Sequence, residues 1–240
     1  MPNGAILPLR LESVCYDAAG KRLIDALSLT LSSGPRTIIL GPNGAGKSLT
    51  LRLCHGLLAP TTGEVRWLGP GGAEAARRQA MVFQRPVMLR RSAAANIDYA
   101  LKLRRIPHAR RVVRIREVLE ETGLTPLARH AARHLSIGEQ QRLALSRAWA
   151  TAPEVLFLDE PTASLDPTAT RAVEEIISAI DLSGTKIIMT THDLSQARRL
   201  ADEIVFLHRG RLMEQRPAAE FFASPATAEA AAFIEGRLQW

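Results

Sequence analysis

The stretch Gly41-Pro42-Asn43-Gly44-Ala45-Gly46-Lys47-Ser48 follows a short apolar run at residues 37–40 and precedes a helical pattern that stops near Gly56. The spacing Gly-x4-Gly-Lys-Ser is typical of a phosphate-binding loop. Glycines let backbone N–H groups turn toward phosphate oxygens, and the helix directs its positive N-terminal end at the same place. Lys47 adds charge near the β- and γ-phosphates, and the Ser48 hydroxyl can ligate Mg²⁺. We therefore predict a nucleoside triphosphate site here.

Two acidic residues end a second apolar run, at residues 155–158. In a parallel sheet the carboxyl ends of the strands meet at one edge, where ligands bind, so we expect Asp159 and Glu160 beside the phosphate loop. Asp159 is expected to hold Mg²⁺, directly or through water, and Glu160 to polarise an attacking water. The alternative is that both acids only cap a turn before Pro161.

The composition narrows the class of protein. The 240 residues, 46% of them hydrophobic, are sufficient for one large α/β domain. The net charge of +7 suits a polyanionic ligand, nucleic acid or an anionic membrane surface, without choosing among them. Aromatic residues make up only 5%, which argues against a base-stacking nucleic-acid platform. Cys15 and Cys54 fit no metal spacing and are expected to be buried free thiols.

The order of strand-like and helical segments predicts the fold. Alternating residues at 9–13 and 27–31, separated by a turn at Ala19-Gly20, indicate antiparallel strands that place Ser13 on the face of Leu9 and Leu11. Apolar runs then alternate with helical patterns, which favours an α/β fold with a mainly parallel sheet.

A helical lobe is expected to interrupt the sheet. From Arg85 the chain is rich in Arg, Ala, Leu and His, with helical spacing at Val112, Ile115, Val118 and Leu119. Within a single domain, 1–240, we assign residues 1–84 and 148–215 to the α/β core, 85–147 to the lobe and 216–240 to a C-terminal helical tail.

Taken together, these residues resemble the ABC transporter ATPase family along nearly the whole chain. Five landmarks of the family occur in its usual order, and together they are highly specific. They are the loop with Gln84, the signature-like Leu135-Ser136-Ile137-Gly138-Glu139-Gln140-Gln141-Arg142, then Asp159-Glu160-Pro161-Thr162, Ala163-Ser164-Leu165-Asp166 and Thr190-Thr191-His192-Asp193. The resemblance implies a P-loop NTPase fold, the cofactors ATP and Mg²⁺, and hydrolysis of ATP to ADP and phosphate.

The resemblance also implies roles for residues outside the phosphate loop. Gln84 would contact Mg²⁺ or water and sense the γ-phosphate, and His192 would contact the γ-phosphate and help to organise the transition state. Tyr16 occupies the place of an aromatic residue that stacks on adenine, although a structural tyrosine at a strand end is the alternative. Leu49 stands where the family often has threonine, so only its backbone N–H can serve, and we expect modestly weaker nucleotide binding.

In this family two cassettes pair head to tail, and each ATP lies between one phosphate loop and the other subunit's signature. Ser136 and the N–H groups near Gly138 would meet the partner's γ-phosphate, and Asp166 would cross the interface. Ile137 stands where a second glycine is usual, and a β-branched residue does not readily adopt positive φ, so we expect a weaker site. Glu139 replaces a common glutamine. It adds negative charge near the triphosphate or forms a capping box with Ser136, and both interpretations stay open.

The segment Phe83 to Ile97 is similar to cassettes of bacterial oxyanion importers, most closely those for tungstate and more loosely those for molybdate or phosphate. This implies membrane permease subunits as partners, indirectly a solute-binding protein, no nucleic acid, and a peripheral position on the cytoplasmic side of the inner membrane. Val87, Met88 and Leu89 would line the groove in which the permease docks, and internal packing of the lobe is the alternative.

The lobe is also predicted to be basic. Anionic lipid headgroups, acidic permease loops or plain solvent are the possible surroundings of its arginines, which are Arg90, Arg91, Arg104, Arg105, Arg110, Arg111 and Arg114. Soluble ABC ATPases are less favoured because the DNA type needs coiled-coil insertions and the ribosome type generally has two cassettes. A kinase with a phosphate loop would not need residues 135–142.

Overall fold

The computed structural model describes residues 6–237. The strands in this part of the chain are β1 (Leu9–Ala18), β2 (Lys21–Leu31), β3 (Thr37–Leu40), β4 (Thr62–Trp67), β5 (Gln79–Val82), β6 (Val155–Asp159), β7 (Lys186–Thr191), β8 (Glu203–His208) and β9 (Arg211–Pro217). The α-helices are α1 (Lys47–His55), α2 (Ala75–Arg78), α3 (Ala93–Leu103), α4 (His108–Glu121), α5 (Ile137–Trp149), α6 (Pro167–Leu182), α7 (Leu194–Leu200), α8 (Ala218–Ala223) and α9 (Ala228–Ile234). The first and last few residues of the 1–240 assignment, 1–5 and 238–240, lie outside the described residues.

A six-stranded sheet forms the centre of the molecule, in the order β5-β6-β7-β3-β8-β9. All neighbouring strands in it are parallel except β8 and β9, which form an antiparallel hairpin at Arg209-Gly210. Every residue of β3, β6 and β7 is buried, as expected for strands covered on both faces. The prediction of a mainly parallel α/β sheet is confirmed.

Side chains of the central strands alternate between two apolar cores. Ile38 and Leu40 face the core that α5, α6 and α8 cover, whereas Ile39 faces the core shared with α1 and the N-terminal strands. Cys54 lies in this second core, where burial raises the pKa of its thiol to about 12. The predicted burial of both free cysteines, Cys15 and Cys54, is confirmed.

A separate antiparallel sheet, in the order β2-β1-β4, carries the N-terminal leucines. The predicted turn at residues 19–20 is present, but the alternation breaks at Ser13. Ser13 is exposed with a φ of 47°, and Val14 takes the inward position, because β-bulges shift the register between β1 and β2. Our placement of Ser13 beside Leu9 and Leu11 is therefore wrong.

Helices α3, α4 and α5 lie between β5 and β6 in the sequence and form the helical lobe. Their buried side chains belong to the larger of the two cores. The predicted helical spacing corresponds to α4, whose Val118 and Leu119 are buried, although Val112 is exposed. Helix α5 continues to Trp149, two residues beyond our assigned lobe, and the domain boundaries stay a prediction. No helix within residues 6–237 is both long enough and apolar enough to cross a membrane.

Candidate nucleotide-binding site

The loop of residues 41–48 is held between β2 and the β8–β9 hairpin. The Gly210 N–H donates to the Ala45 carbonyl at 3.0 Å, and the Asp25 N–H donates to the Gly210 carbonyl at 2.9 Å. Gly41 has a φ of 156°, and a Cβ at this position would overlap the Leu207 carbonyl oxygen. The loop therefore depends on glycine at position 41.

Helix α1 begins with no side chain bonded to its first turn, because its N-cap is Gly46. The first N–H groups of a helix have no intrahelical partner, so the positive end of α1 is available to an anion. Lys47 is buried, and its Nζ donates to the carbonyls of Gly41 and Pro42 at 2.9 and 3.0 Å. Burial lowers the pKa of Lys47, while the carboxylate of Glu160, 3.5 Å away, acts in the opposite direction.

Two adjoining clefts open at this edge of the sheet. The first, of about 420 Å³, is lined by Leu23, Asn43, Gly44, Gly46, Lys47, Ser48, Leu49, Gln84 and Glu160. The second, of about 440 Å³, is lined by Asn43, Gln84, Glu160, Thr162, Ala163, Ser164, Thr191, His192 and Asp193. Gln84 and Glu160 lie at the boundary between them, so the predicted phosphate, acid, glutamine and histidine positions meet in one region.

Asp159 and Glu160 are oriented by Thr190 on the neighbouring strand. The Asp159 Oδ1 accepts from the Ser48 hydroxyl at 2.6 Å and from the Thr190 hydroxyl at 2.9 Å. The Glu160 N–H donates to the Thr190 hydroxyl oxygen at 2.9 Å, and its Oε2 lies 3.2 Å from Nδ1 of His192. Glu160 has a φ of 43°, a strained backbone conformation that is common at functional sites.

The donor set fits Mg²⁺. The Ser48 hydroxyl and the Asp159 carboxylate are hard oxygen ligands, and the Gln84 side chain lines the same region. Mg²⁺ keeps several waters, so two or three protein ligands are sufficient. Among residues 6–237 there is no group of three or more His, Cys, Asp and Glu side chains that could hold a metal ion by themselves.

Tyr16 does not line either cleft. It lies half-buried against the second core, opposite Ile24 in the register of β1 and β2. Leu23, on β2, lines the first cleft instead, beside Leu49. Sequence reasoning missed Leu23. The only available signal was its place next to the buried Ile24 on an alternating strand.

The signature residues lie at the start of α5, away from both clefts of the same chain. Ser136 is the N-cap and forms a capping box with Glu139, so the helix-capping interpretation of that glutamate is confirmed. Ile137 is the first helical residue, has no positive φ and is 65% exposed, so the backbone problem we expected for it does not arise.

Helices α5 and α6 begin side by side. A Cβ on Gly138 would lie 2.9 Å from the Cβ of Ala169, so glycine permits the close approach. The Asp166 carboxylate caps α6 by accepting from the Ala169 N–H at 2.9 Å, with Pro167 at the first helical position. Ser136, Gly138, Glu139 and Asp166 therefore belong to one surface, which we call the signature surface.

The loop after Gln84 is held by the helical lobe. The buried Asn96 accepts from the Leu89 N–H at 3.0 Å and donates to the Ser92 carbonyl at 3.0 Å. Arg147 donates to the Val87 carbonyl at 3.0 Å. Met88 is buried inside the lobe, which is the alternative we left open for it, whereas Val87 is 71% exposed.

Leu89 lines an apolar groove of about 290 Å³. Its other lining residues are Gln79, Ala80, Met81, Tyr99, Ala100, Leu103, Arg104, Ala144, Arg147, Ala148 and Thr151. Burial lowers the pKa of Arg104 and of Arg147, and neither has a carboxylate within 4 Å in the described part of the chain. Of the seven arginines expected to make the lobe basic, Arg111 and Arg114 are paired with carboxylates.

Residues 24–163 match the model of the family described as ABC transporter. The chain belongs to this family. The match covers more than half of the sequence, and the predicted cassette fold and family are thereby confirmed.

Several curated relatives of this ABC cassette are import ATPases. It is 42% identical over 196 residues to the tungstate uptake system ATP-binding protein TupC of Peptoclostridium acidaminophilum, covering 81% of this chain and 92% of the relative. It is 38% identical to the methionine import ATP-binding protein MetN of Nocardia farcinica, covering 90% and 69%. It is 34% identical to the phosphate import ATP-binding protein PstB 2 of Natronomonas pharaonis, covering 96% and 87%. The named solutes therefore differ among relatives.

A solved structure supports the same assignment. The structure of cbiO1 from Clostridium perfringens, part of the ABC transporter complex cbiONQ, has a TM-score of 0.80 and 27% identity to this cassette, covering 90% of each chain.

Proposed function

We propose that this cassette hydrolyses ATP to ADP and phosphate and drives an importer. The observation that carries the proposal is the cluster at one sheet edge, where the Ser48 hydroxyl contacts Asp159 and where Lys47 and His192 lie within 3.5 and 3.2 Å of Glu160. Transfer of a phosphoryl group to water requires a cradle of N–H groups, a cation and an acid that orients the water. The first turn of α1 would provide the N–H groups, Lys47 the positive charge and the Glu160 carboxylate the group that orients the water.

The phosphates would lie against the loop of residues 41–48 and the first turn of α1. The Lys47 ammonium, which now donates to two loop carbonyls, would turn to the β- and γ-phosphates, because charge-assisted hydrogen bonds are the stronger ones. Leu23 offers an apolar surface for the base, and Tyr16 stays a prediction for the same role.

For hydrolysis, Glu160 would accept a proton from the attacking water, and His192 would hold the Glu160 carboxylate in place. Gln84 lines both clefts and is placed to contact the water or the γ-phosphate. Ser48, Gln84 and Asp159 would hold Mg²⁺, which neutralises phosphate charge when bound.

The substitution Glu160→Gln tests this role. We expect the variant to bind ATP but to release phosphate at least about 100-fold more slowly, because removal of a general base costs 10²–10⁴ in rate. Phosphate release and ATP binding are the measurements. Glu175→Gln, an exposed acid on α6, is the matched control and should keep the parent rate. Parent-like turnover of Glu160→Gln would remove Glu160 from the proposed role.

The cassette would act as a pair. Within one chain the signature surface lies outside the nucleotide clefts, and Ile137 beside it is exposed. We infer that the signature surface, with Ser136, Gly138, Glu139 and Asp166, faces the nucleotide of a second copy, as the family resemblance implies. The Glu160→Gln variant should then accumulate an ATP-bound dimer, which light scattering after size exclusion detects.

Membrane permease subunits are the proposed partners of the apolar groove. Its lining is mostly apolar, and in the described chain its two arginines, Arg104 and Arg147, donate to backbone carbonyls and form no ion pair with a carboxylate. An amphipathic permease segment would match this surface, with apolar side chains in the groove and an acidic residue near the two positive charges. The cassette would then lie on the cytoplasmic face of the bacterial inner membrane.

Tungstate is the proposed solute, supported by the 42% identity to TupC. The alternatives are phosphate, molybdate or another solute such as methionine, since relatives named for phosphate and methionine are 34% and 38% identical. The complex of cassette, permease and solute-binding protein should be purified and its ATPase rate measured with each solute. Stimulation by tungstate alone supports the proposal, whereas stimulation by methionine or phosphate alone overturns it.

A further inference from the structure

Glu139 engages both hydrogen-bond donors of Ser136. The Ser136 N–H donates to Oε2 of Glu139 at 2.8 Å, and the Ser136 hydroxyl donates to the same oxygen at 2.9 Å. In return the Glu139 N–H donates to the Ser136 hydroxyl oxygen at 3.3 Å. Ser136 therefore has no donor left for another anion.

The carboxylate that engages Ser136 is charged at neutral pH. The Ser136 N–H that donates to Glu139 lowers the pKa of that carboxyl, with smaller contributions from the charges of Arg142 and His130. The Arg142 guanidinium donates to the Thr122 carbonyl at 3.0 Å, so Arg142 acts on Glu139 through its charge. Hydrogen bonds to an ionised acceptor are roughly twice as strong as neutral ones, so the negative charge of Glu139 strengthens this exposed contact.

We propose that Glu139 is a latch, which keeps Ser136 from a partner's nucleotide until the γ-phosphate displaces the carboxylate. The inference rests on the proposed function, in which Ser136 meets the nucleotide of a second copy. A phosphate and the Glu139 carboxylate are both anions that need the same two donors, and like charges close together repel. Pairing therefore requires the Ser136–Glu139 contact to open.

The substitution Glu139→Gln distinguishes the proposed latch from the role of Glu139 in capping helix α5. A glutamine at position 139 can still accept from the Ser136 N–H through its amide oxygen, so the capping box is kept. It removes the negative charge and the charge-assisted bonds. Glu139→Gln should therefore leave the fold intact, which a thermal melt checks, while it weakens the hydrogen bond from the Ser136 hydroxyl.

The test measures the ATP concentration that gives half-maximal dimer, in the Glu160→Gln background. We expect Glu139→Gln to lower this concentration about tenfold, which corresponds to ~1.4 kcal/mol for each ATP bound. The control Glu120→Gln removes an exposed acid from the same lobe and should change the concentration less than twofold. An unchanged or raised concentration in Glu139→Gln would overturn the latch.

A second pair of variants tests whether Glu139 acts through Ser136. In a Ser136→Ala background, Glu139→Gln should lower the ATP concentration for half-maximal dimer only threefold or less, because the bonded hydroxyl is gone. A gain of more than threefold there would mean that general charge repulsion acts instead, and the latch would be wrong. If the Glu160→Gln parent binds ATP yet never dimerises, the pairing in the proposed function fails, and the latch fails with it.

Discussion

At the scale of single residues, Leu49 is the departure from the family pattern that lines the proposed nucleotide cleft itself. Its side chain lines the nucleotide cleft and also packs against the second core. A hydroxyl at this position could donate to an α-phosphate oxygen, which a leucine cannot do. We therefore expect leucine at this position to gain apolar burial and to lack one hydrogen bond to the nucleotide.

Leu49→Thr should bind ATP about fivefold more tightly, since one hydrogen bond contributes about 1 kcal/mol. Titration with ATP measures the effect. Leu49→Val is the matched control, because it has the branched shape of threonine without the hydroxyl and should show no gain. Equal affinities of the threonine and valine variants would contradict the expectation.

Some residues of the site are predictable from a local sequence pattern, and others are placed only by the pairing of strands that are distant in the sequence. The phosphate loop, Asp159 and Glu160 could be predicted because each depends on a local pattern next to an apolar run. The orienting role of Thr190 could not, since it depends on the register that places Asp159 opposite Thr190 in two strands about thirty residues apart. Leu23 faces the cleft through the register of β1 and β2, which bulges disturb.

At the scale of elements, Lys186 ties the start of β7 to the segment before β3. Its side chain is buried, and its Nζ donates to the Pro35 carbonyl and to the Thr37 hydroxyl, the latter at 2.8 Å. Burial lowers the pKa of Lys186 to about 8 from its ordinary 10.5. The folded protein therefore binds this proton less tightly than the unfolded chain does.

This difference predicts how the free energy of unfolding depends on pH. Between pH 8 and 10.5 the unfolded chain holds more protons at this site, so stability rises with pH. From pH 8 to 10 the contribution of Lys186 is about 2 kcal/mol, and Lys186→Met should lose this part of the rise. Urea unfolding at both pH values measures it, with the exposed Lys21→Met as a control that keeps the parent slope. An unchanged slope in Lys186→Met would count against the low pKa.

Element boundaries follow from the sequence wherever one face or both faces of an element are buried. The central strands, α1 and the β8–β9 hairpin lie close to where the patterns place them. Two failures concern which side chains are buried: Ser13, where a bulge turns the side chain to solvent, and Val112, which is apolar but exposed. In both cases the spacing of apolar residues in the sequence does not show whether another element covers that side chain.

At the scale of the whole molecule, the nucleotide clefts and the signature surface are two separate regions of one chain. The clefts lie at the carboxyl edge of the parallel sheet, and the signature surface lies where α5 and α6 begin. The sequence predicts the residues of both regions, but their separation follows from the three-dimensional packing of α5 beside α6 around Gly138.

This separation has a kinetic consequence. In the proposed pairing, each nucleotide site combines the cleft of one chain with the signature surface of the other. When most of the protein is monomeric, the rate of hydrolysis therefore depends on the square of the protein concentration. Turnover per molecule then falls on dilution even at saturating ATP, and tethering to a membrane assembly restores it by raising the local concentration of the second chain.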